Sequence, residues 1–144
     1  MSEVDVLQEV LAGEHAALYV VSVLGARTSE SAAPELYLAL RDAYDAHRGR
    51  RDDLIGRLAA AGATPAAAAT AYELPVGLDT VAGVTSAALD LERSCAEVYA
   101  AAVAGTTGEA RTWAVGALND AAVRELGFRG TPEMVPGAGE YADR

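Results

Sequence analysis

Glu14, His47, Glu92 and Asp120 each stand near the middle of a different stretch with helical periodicity, where an apolar residue would be expected. Carboxylates and an imidazole that converge on one point can hold a hard-to-borderline divalent ion. They can equally close into a hydrogen-bonded network that balances its own charge. The first requirement for either is that the four side chains meet. In an antiparallel hairpin, residues equidistant from the turn lie at one height. The midpoint of Glu14 and His47 is (14 + 47)/2 = 30.5, and that of Glu92 and Asp120 is (92 + 120)/2 = 106. Both midpoints fall in polar or Gly-rich breaks, so each pair is level within its own hairpin, and packing the two hairpins together brings all four residues into one layer.

The elements that must do this positioning are four helices. The first is predicted over Glu3 to Arg27 with Ser2 as N-cap, its seam reading Leu7, Leu11, Glu14, Leu18, Val21 and Gly25. Ser31 is a second cap. The next helix runs from Pro34, tolerated in a first turn, to Ala61, with Gly62 as its stop. Its stripe of Tyr37, Leu40, Tyr44, His47, Arg51, Leu54 and Leu58 is apolar at both ends and polar in the middle. Residues 62–78 lose the periodicity, with Pro65, Pro75 and Gly77 among many alanines. A 25-residue helix is roughly 37 Å long and a 16-residue extended segment reaches roughly 50 Å, so this linker can return along the bundle and leave the second and third helices parallel. Asp79 is expected to cap a third helix over Thr80 to Ala104. Gly105 to Gly108 make a turn in which Thr107 can cap a fourth helix ending near Gly127, with Trp113, Ala117, Asp120 and Arg124 along one stripe. The reading is an all-α four-helix bundle over residues 1–128, two antiparallel hairpins joined by a long crossover, followed by an irregular tail over 129–144.

Composition narrows the function. Thirty-three alanines favour closely packed helices, and eleven arginines with no lysine point to a GC-rich coding sequence. A net charge of −10 argues against nucleic acid as partner. Arg48, Arg50 and Arg51 cluster, but among Asp42, Asp45, Asp52 and Asp53 they read as a solvated, ion-paired face. Cys95 is the only cysteine, which leaves no intrachain disulfide. The acidic N-terminus lacks the order of a signal peptide, and no apolar run reaches about 18 residues. A cytoplasmic protein with no membrane span is expected.

The chain resembles the ferritin-like superfamily, and in particular a small ferritin-like domain family of unknown function from high-GC bacteria. The stretches that carry the resemblance are Glu14-His15-Ala16-Ala17-Leu18-Tyr19, Ala46-His47-Arg48-Gly49-Arg50-Arg51-Asp52, Ala71-Tyr72-Glu73-Leu74-Pro75 and Asp120-Ala121-Ala122-Val123-Arg124. Metal-binding members place a Glu on helices one and three and Glu-x-x-His on helices two and four. On that pattern Glu14 and Glu92 are retained, tyrosine stands at position 44 where a bridging Glu belongs, Asp120 is a shorter carboxylate, and Val123 replaces the second histidine. The resemblance implies a degenerate di-iron site and no established activity.

Two readings follow. In the favoured one no cofactor is bound. Arg51 and Arg124, one turn beyond His47 and Asp120, neutralise a buried network of Glu14, Tyr44, His47, Glu92 and Asp120. The protein then acts without catalysis, by association, as a homodimer. The alternative is a metal-binding protein or oxidoreductase with a single Fe, Mn or Zn ion on Glu14, His47, Glu92 and Asp120. His15 points about 100° away from Glu14 and reads as a surface or interface residue. Cys95 reads as a small buried apolar group. Tyr19, Tyr44 and Tyr99 read as core aromatics whose hydroxyls reach the polar layer, and Trp113 as a core or interface anchor. Any unrelated enzyme would need a separate pocket, for which the Ala71-to-Pro75 segment is the one place, and no catalytic residues mark it.

Overall fold

A computed structural model describes residues 1–129 and 133–139. It contains α1 (Glu3–Ala26), α2 (Pro34–Ala60), α3 (Val81–Gly105) and α4 (Gly108–Arg129), packed as a four-helix bundle with a long loop between α2 and α3. Ser2 starts α1 with a reciprocal capping box: its hydroxyl accepts from the Asp5 amide, and the Asp5 carboxylate accepts from the Ser2 amide at 2.8 Å. Two of the expected caps move by one or two residues. Thr80, not Asp79, caps α3 through the Gly83 amide, and Ala33, with no capping side chain, precedes Pro34 at the start of α2. The end of α2 is as the sequence implies. Gly62 at φ +77° lets its own amide reach Ala59 O and the Ala63 amide reach Leu58 O, which closes the helix with paired backbone bonds.

The direction of the helices follows from contacts that cross the bundle. Val6 faces Gly105 and Gly13 faces Val98. Both pairs sum to 111, so α1 runs antiparallel to α3. It is also antiparallel to α2 through the short turn, and α2 and α3 are therefore parallel. Residues 61–80 make the return journey and are fastened along it. The Gln8 side chain donates to Thr64 O and accepts from the Ala66 amide, and His15 Nε2 bonds Ala66 O at 2.9 Å. Tyr72 packs its ring on Tyr19 at 5.5 Å between centroids. At the far end Gly83 has no room for a side chain: a Cβ there would fall 1.8 Å from Gly77 O.

The apolar interior comes in two parts. One is built around Val10, Leu11, Leu54, Leu58, Tyr99 and the α4 alanines, the other around Val21, Leu24, Leu40, Ala43, Val84 and Ala88. Glu14, His47 and Glu92 fall between the two sets on α1, α2 and α3. The polar layer is thus a partition across the core. By length and composition α1 is apolar enough to cross a membrane, which the absence of a long unbroken apolar run did not suggest. Its buried stripe, Val6 to Leu24, is turned onto the neighbouring helices, as in the core helix of a bundle. Residues 133–139 form a turn that brings Gly137 against Ala96 and Ala100 of α3. The rest of the expected tail, 130–132 and 140–144, lies outside the described residues.

Candidate functional site

His47 occupies the centre of the layer with no exposure to solvent. Its Nδ1 lies 2.8 Å from Glu14 Oε2 and its Nε2 lies 3.1 Å from Glu92 Oε1, and both carboxylates are buried as completely as the ring. A neutral imidazole can donate from only one nitrogen, so donating to both carboxylates takes the doubly protonated ring. Burial disfavours that charge. The hydrogen bonds and negative charges of Glu14 and Glu92 outweigh it and raise the His47 pKa to about 9.

The network continues beyond the imidazolium. The Tyr99 hydroxyl donates a short hydrogen bond to Glu14 Oε1, the oxygen His47 leaves free. Arg50 NH1 donates to the same hydroxyl at 3.2 Å, with the guanidinium carbon 5.2 Å from the Tyr99 ring centroid. Arg50 NH2 pairs closely with Asp120, which also accepts from Arg124 Nε at 2.9 Å. A chain of hydrogen bonds therefore runs Arg124, Asp120, Arg50, Tyr99, Glu14, His47, Glu92, from the α2/α4 edge into the core. Six of its seven members are acidic or basic groups, three of each kind, with the Tyr99 hydroxyl between them. Burial drives the Tyr99 hydroxyl well above its ordinary value, helped by the charge of Glu14. The Cys95 thiol, one turn from Glu92, is raised for the same reasons, and it stays a small buried neutral group as its sequence context suggests.

The sequence-derived residues divide cleanly. Glu14, His47 and Glu92 meet as expected. Asp120 and Arg124 join the network but at its half-exposed end: Asp120 is 39% exposed, and burial there is overcome by Arg124 and Arg50, which hold its carboxyl below the usual range. Tyr44 and Arg51 lie off the layer. Tyr44 is half-buried against the second apolar set, and Arg51 turns outward to Asp52 at 2.7 Å. The true inward stripe of α2 is Leu40, Ala43, His47, Leu54 and Leu58. Arg50 follows His47 by three residues on that face, so the guanidinium comes from position 50. On α4 the buried stripe is Ala110, Ala114, Ala117, Ala121 and Glu125, one residue round from the Trp113–Asp120–Arg124 face. Trp113 meets Tyr99 edge-on at 6.4 Å. His15 is a fastening for the crossover and not a free surface residue.

Both ring nitrogens of His47 face a carboxylate in this arrangement. The two carboxylates sit on opposite edges of the imidazole, so an ion at either ring nitrogen would displace one of them and meet little of the other. Among the described residues no group of three or more His, Cys, Asp or Glu side chains is placed to hold a cation. Glu92 Oε2 is the one atom of the central trio with no hydrogen-bond partner among those residues.

Comparison with known proteins places this geometry. A family model described as a domain of unknown function, DUF4439, matches residues 6–140. The chain belongs to the DUF4439 family. The crystal structure of a conserved hypothetical protein, Rv2844, from Mycobacterium tuberculosis is similar to it at 31% identity. That similarity covers 89% of this chain and 88% of that one, with a TM-score of 0.81. No curated protein matches the chain. For this DUF4439 domain, then, the relatives establish the family and the fold, and the chemistry must be read from the side chains.

Proposed function

We propose that this domain is a degenerate ferritin-like bundle in which an imidazolium takes the place of the metal centre. Its role is non-catalytic and carried out by association, with a second copy of the chain as the first partner to test. The observation that carries the reading is His47 bonded through both ring nitrogens to separate buried carboxylates. Such a ring supplies the positive charge that a cation would otherwise bring, and it leaves neither nitrogen with a lone pair for coordination. The likeness to the ferritin-like superfamily rests on the layer of charged groups at mid-bundle and on the long crossover between α2 and α3. Val115, Val123 and Leu126 stand exposed on α4 and offer another copy an apolar surface to cover.

The test is elemental analysis of protein purified without chelator, alongside its mass in solution. The expected result is well below one equivalent of Fe, Mn or Zn per chain, with no gain in thermal stability when any of the three is added. A stoichiometric ion, lost together with stability in His47→Ala, would replace this reading with that of a metal-binding protein. A monomer at micromolar concentration would remove the second copy as partner.

A further inference from the structure

Between α1 and α3, on the side of the bundle away from Arg50, lies a cavity of about 610 Å³. We propose that it is a binding site for an amphipathic small molecule with an apolar body and a single cationic head. The inference is independent of how the buried centre is charged.

The walls explain the body. Gly13, Ala16 and Ala17 of α1 face Ala87, Leu91 and Val98 of α3, and small side chains on one wall leave the helices apart where larger ones would close the gap. Gly13 is not required by packing, since a Cβ there would meet only Val98, at an ordinary 3.8 Å. The volume lies within the roughly 300–1,000 Å³ of small-molecule sites, and the lining is mainly apolar. Below, Glu14 and Tyr99 are already bonded to each other and to His47 and Arg50, so they offer no open polar contact to a ligand.

The crossover explains why the cavity is formed in advance. Residues Glu73 to Val76 cross its mouth, held on one side by the Gln8, His15 and Tyr19 contacts and on the other by Gly77 against Gly83. This fastened strap turns Leu74 and Val76 outward at the lip, where Val76 is 93% exposed. Apolar side chains at the entrance to an apolar slot suit a ligand whose body runs out past the strap.

The rim sets the charge of the head. Glu73 and Asp90 are its ionisable groups, both exposed, and Asp90 is only loosely shared with Arg93 at 3.4 Å. With the chain at −10 overall, a cation is attracted to this mouth and an anion repelled. An alkylamine or quaternary ammonium has the right chemistry, and a fatty acid has the wrong sign.

Isothermal titration with decyltrimethylammonium and with decanoate, both below their micellar concentrations, tests the site. The expected result is saturable binding of one decyltrimethylammonium per chain, with decanoate weaker by about tenfold or more. Ala16→Leu, which fills the slot, should abolish binding. Glu73→Gln, on the exposed strap and without consequence for folding, should weaken the ammonium by roughly fivefold and narrow its preference over decanoate. Absence of saturable binding, equal affinity for the two probes, or an ammonium affinity unchanged in Glu73→Gln would each overturn the proposal.

Discussion

The two ends of the hydrogen-bond chain are made of the same kinds of groups and do different work. At the core end Glu14, His47 and Glu92 are dry, each carboxylate tied to the one imidazolium. At the edge Asp120 is shared between Arg50 and Arg124, with 39% of its surface exposed. Water screens the second set and cannot reach the first. A charge deleted at the edge is replaced by solvent. One deleted at the core leaves a partner stranded in low dielectric, which costs far more than the pair ever contributed.

The contrast is broken or sharpened by substitution. His47→Ala strands two buried carboxylates and is expected to cost about 3–5 kcal/mol in chemical denaturation, and a loss below 1 kcal/mol would mean the layer is wet. Alkaline pH should act next most strongly. The folded pKa of His47, about 9, lies above its ordinary 6.5, so its contribution is fully present below pH 6.5 and lost as pH rises through 9. Roughly 3 kcal/mol should disappear over that window in the wild type and none of it in His47→Gln. Within the core the two carboxylates are unequal. Glu14 uses both oxygens and Glu92 only one, so Glu14→Gln should destabilise by about 1–2 kcal/mol more than Glu92→Gln, and the reverse order would misassign the hub.

Arg50→Met bridges the two regions. It removes the donor to Tyr99 while leaving Asp120 paired with Arg124, for an expected cost of about 1–2 kcal/mol. At the bottom of the scale, Asp120→Asn should cost under about 1 kcal/mol and Arg51→Met under about 0.5 kcal/mol, both by thermal melting. If Arg51→Met proved more damaging than Arg50→Met, the assignment of α2's inward face would fail.

How much of this was legible in the chain depends on how strongly each helix face is marked. On α1 the large apolar residues leave one face for Glu14, and α3 is nearly as clear, so both glutamates could be placed. The bounds of all four helices fall within two residues of those the sequence implies, and Gly62 behaves as its position demands. On α2 the polar run 47–53 fits steps of three or four equally well. Reading a step of four put Arg51 and Tyr44 inward, where the structure has Arg50 and Ala43. On α4 the buried stripe is almost wholly alanine, and a stripe without bulk gives no contrast with its surroundings. Trp113 and Asp120, one residue round, are the marked positions, and Glu125 carries no such contrast. The cavity was illegible for a further reason: it depends on where the crossover is fastened, through side chains 51 to 58 residues apart in sequence.

The protonation of His47 carries the central claim, and nitrogen-resolved NMR of the imidazole reads it directly. At pH 7.5 both ring nitrogens of metal-free protein should carry protons, and one equivalent of zinc should leave their resonances in place. A bare ring nitrogen that shifts when zinc is added would contradict the account.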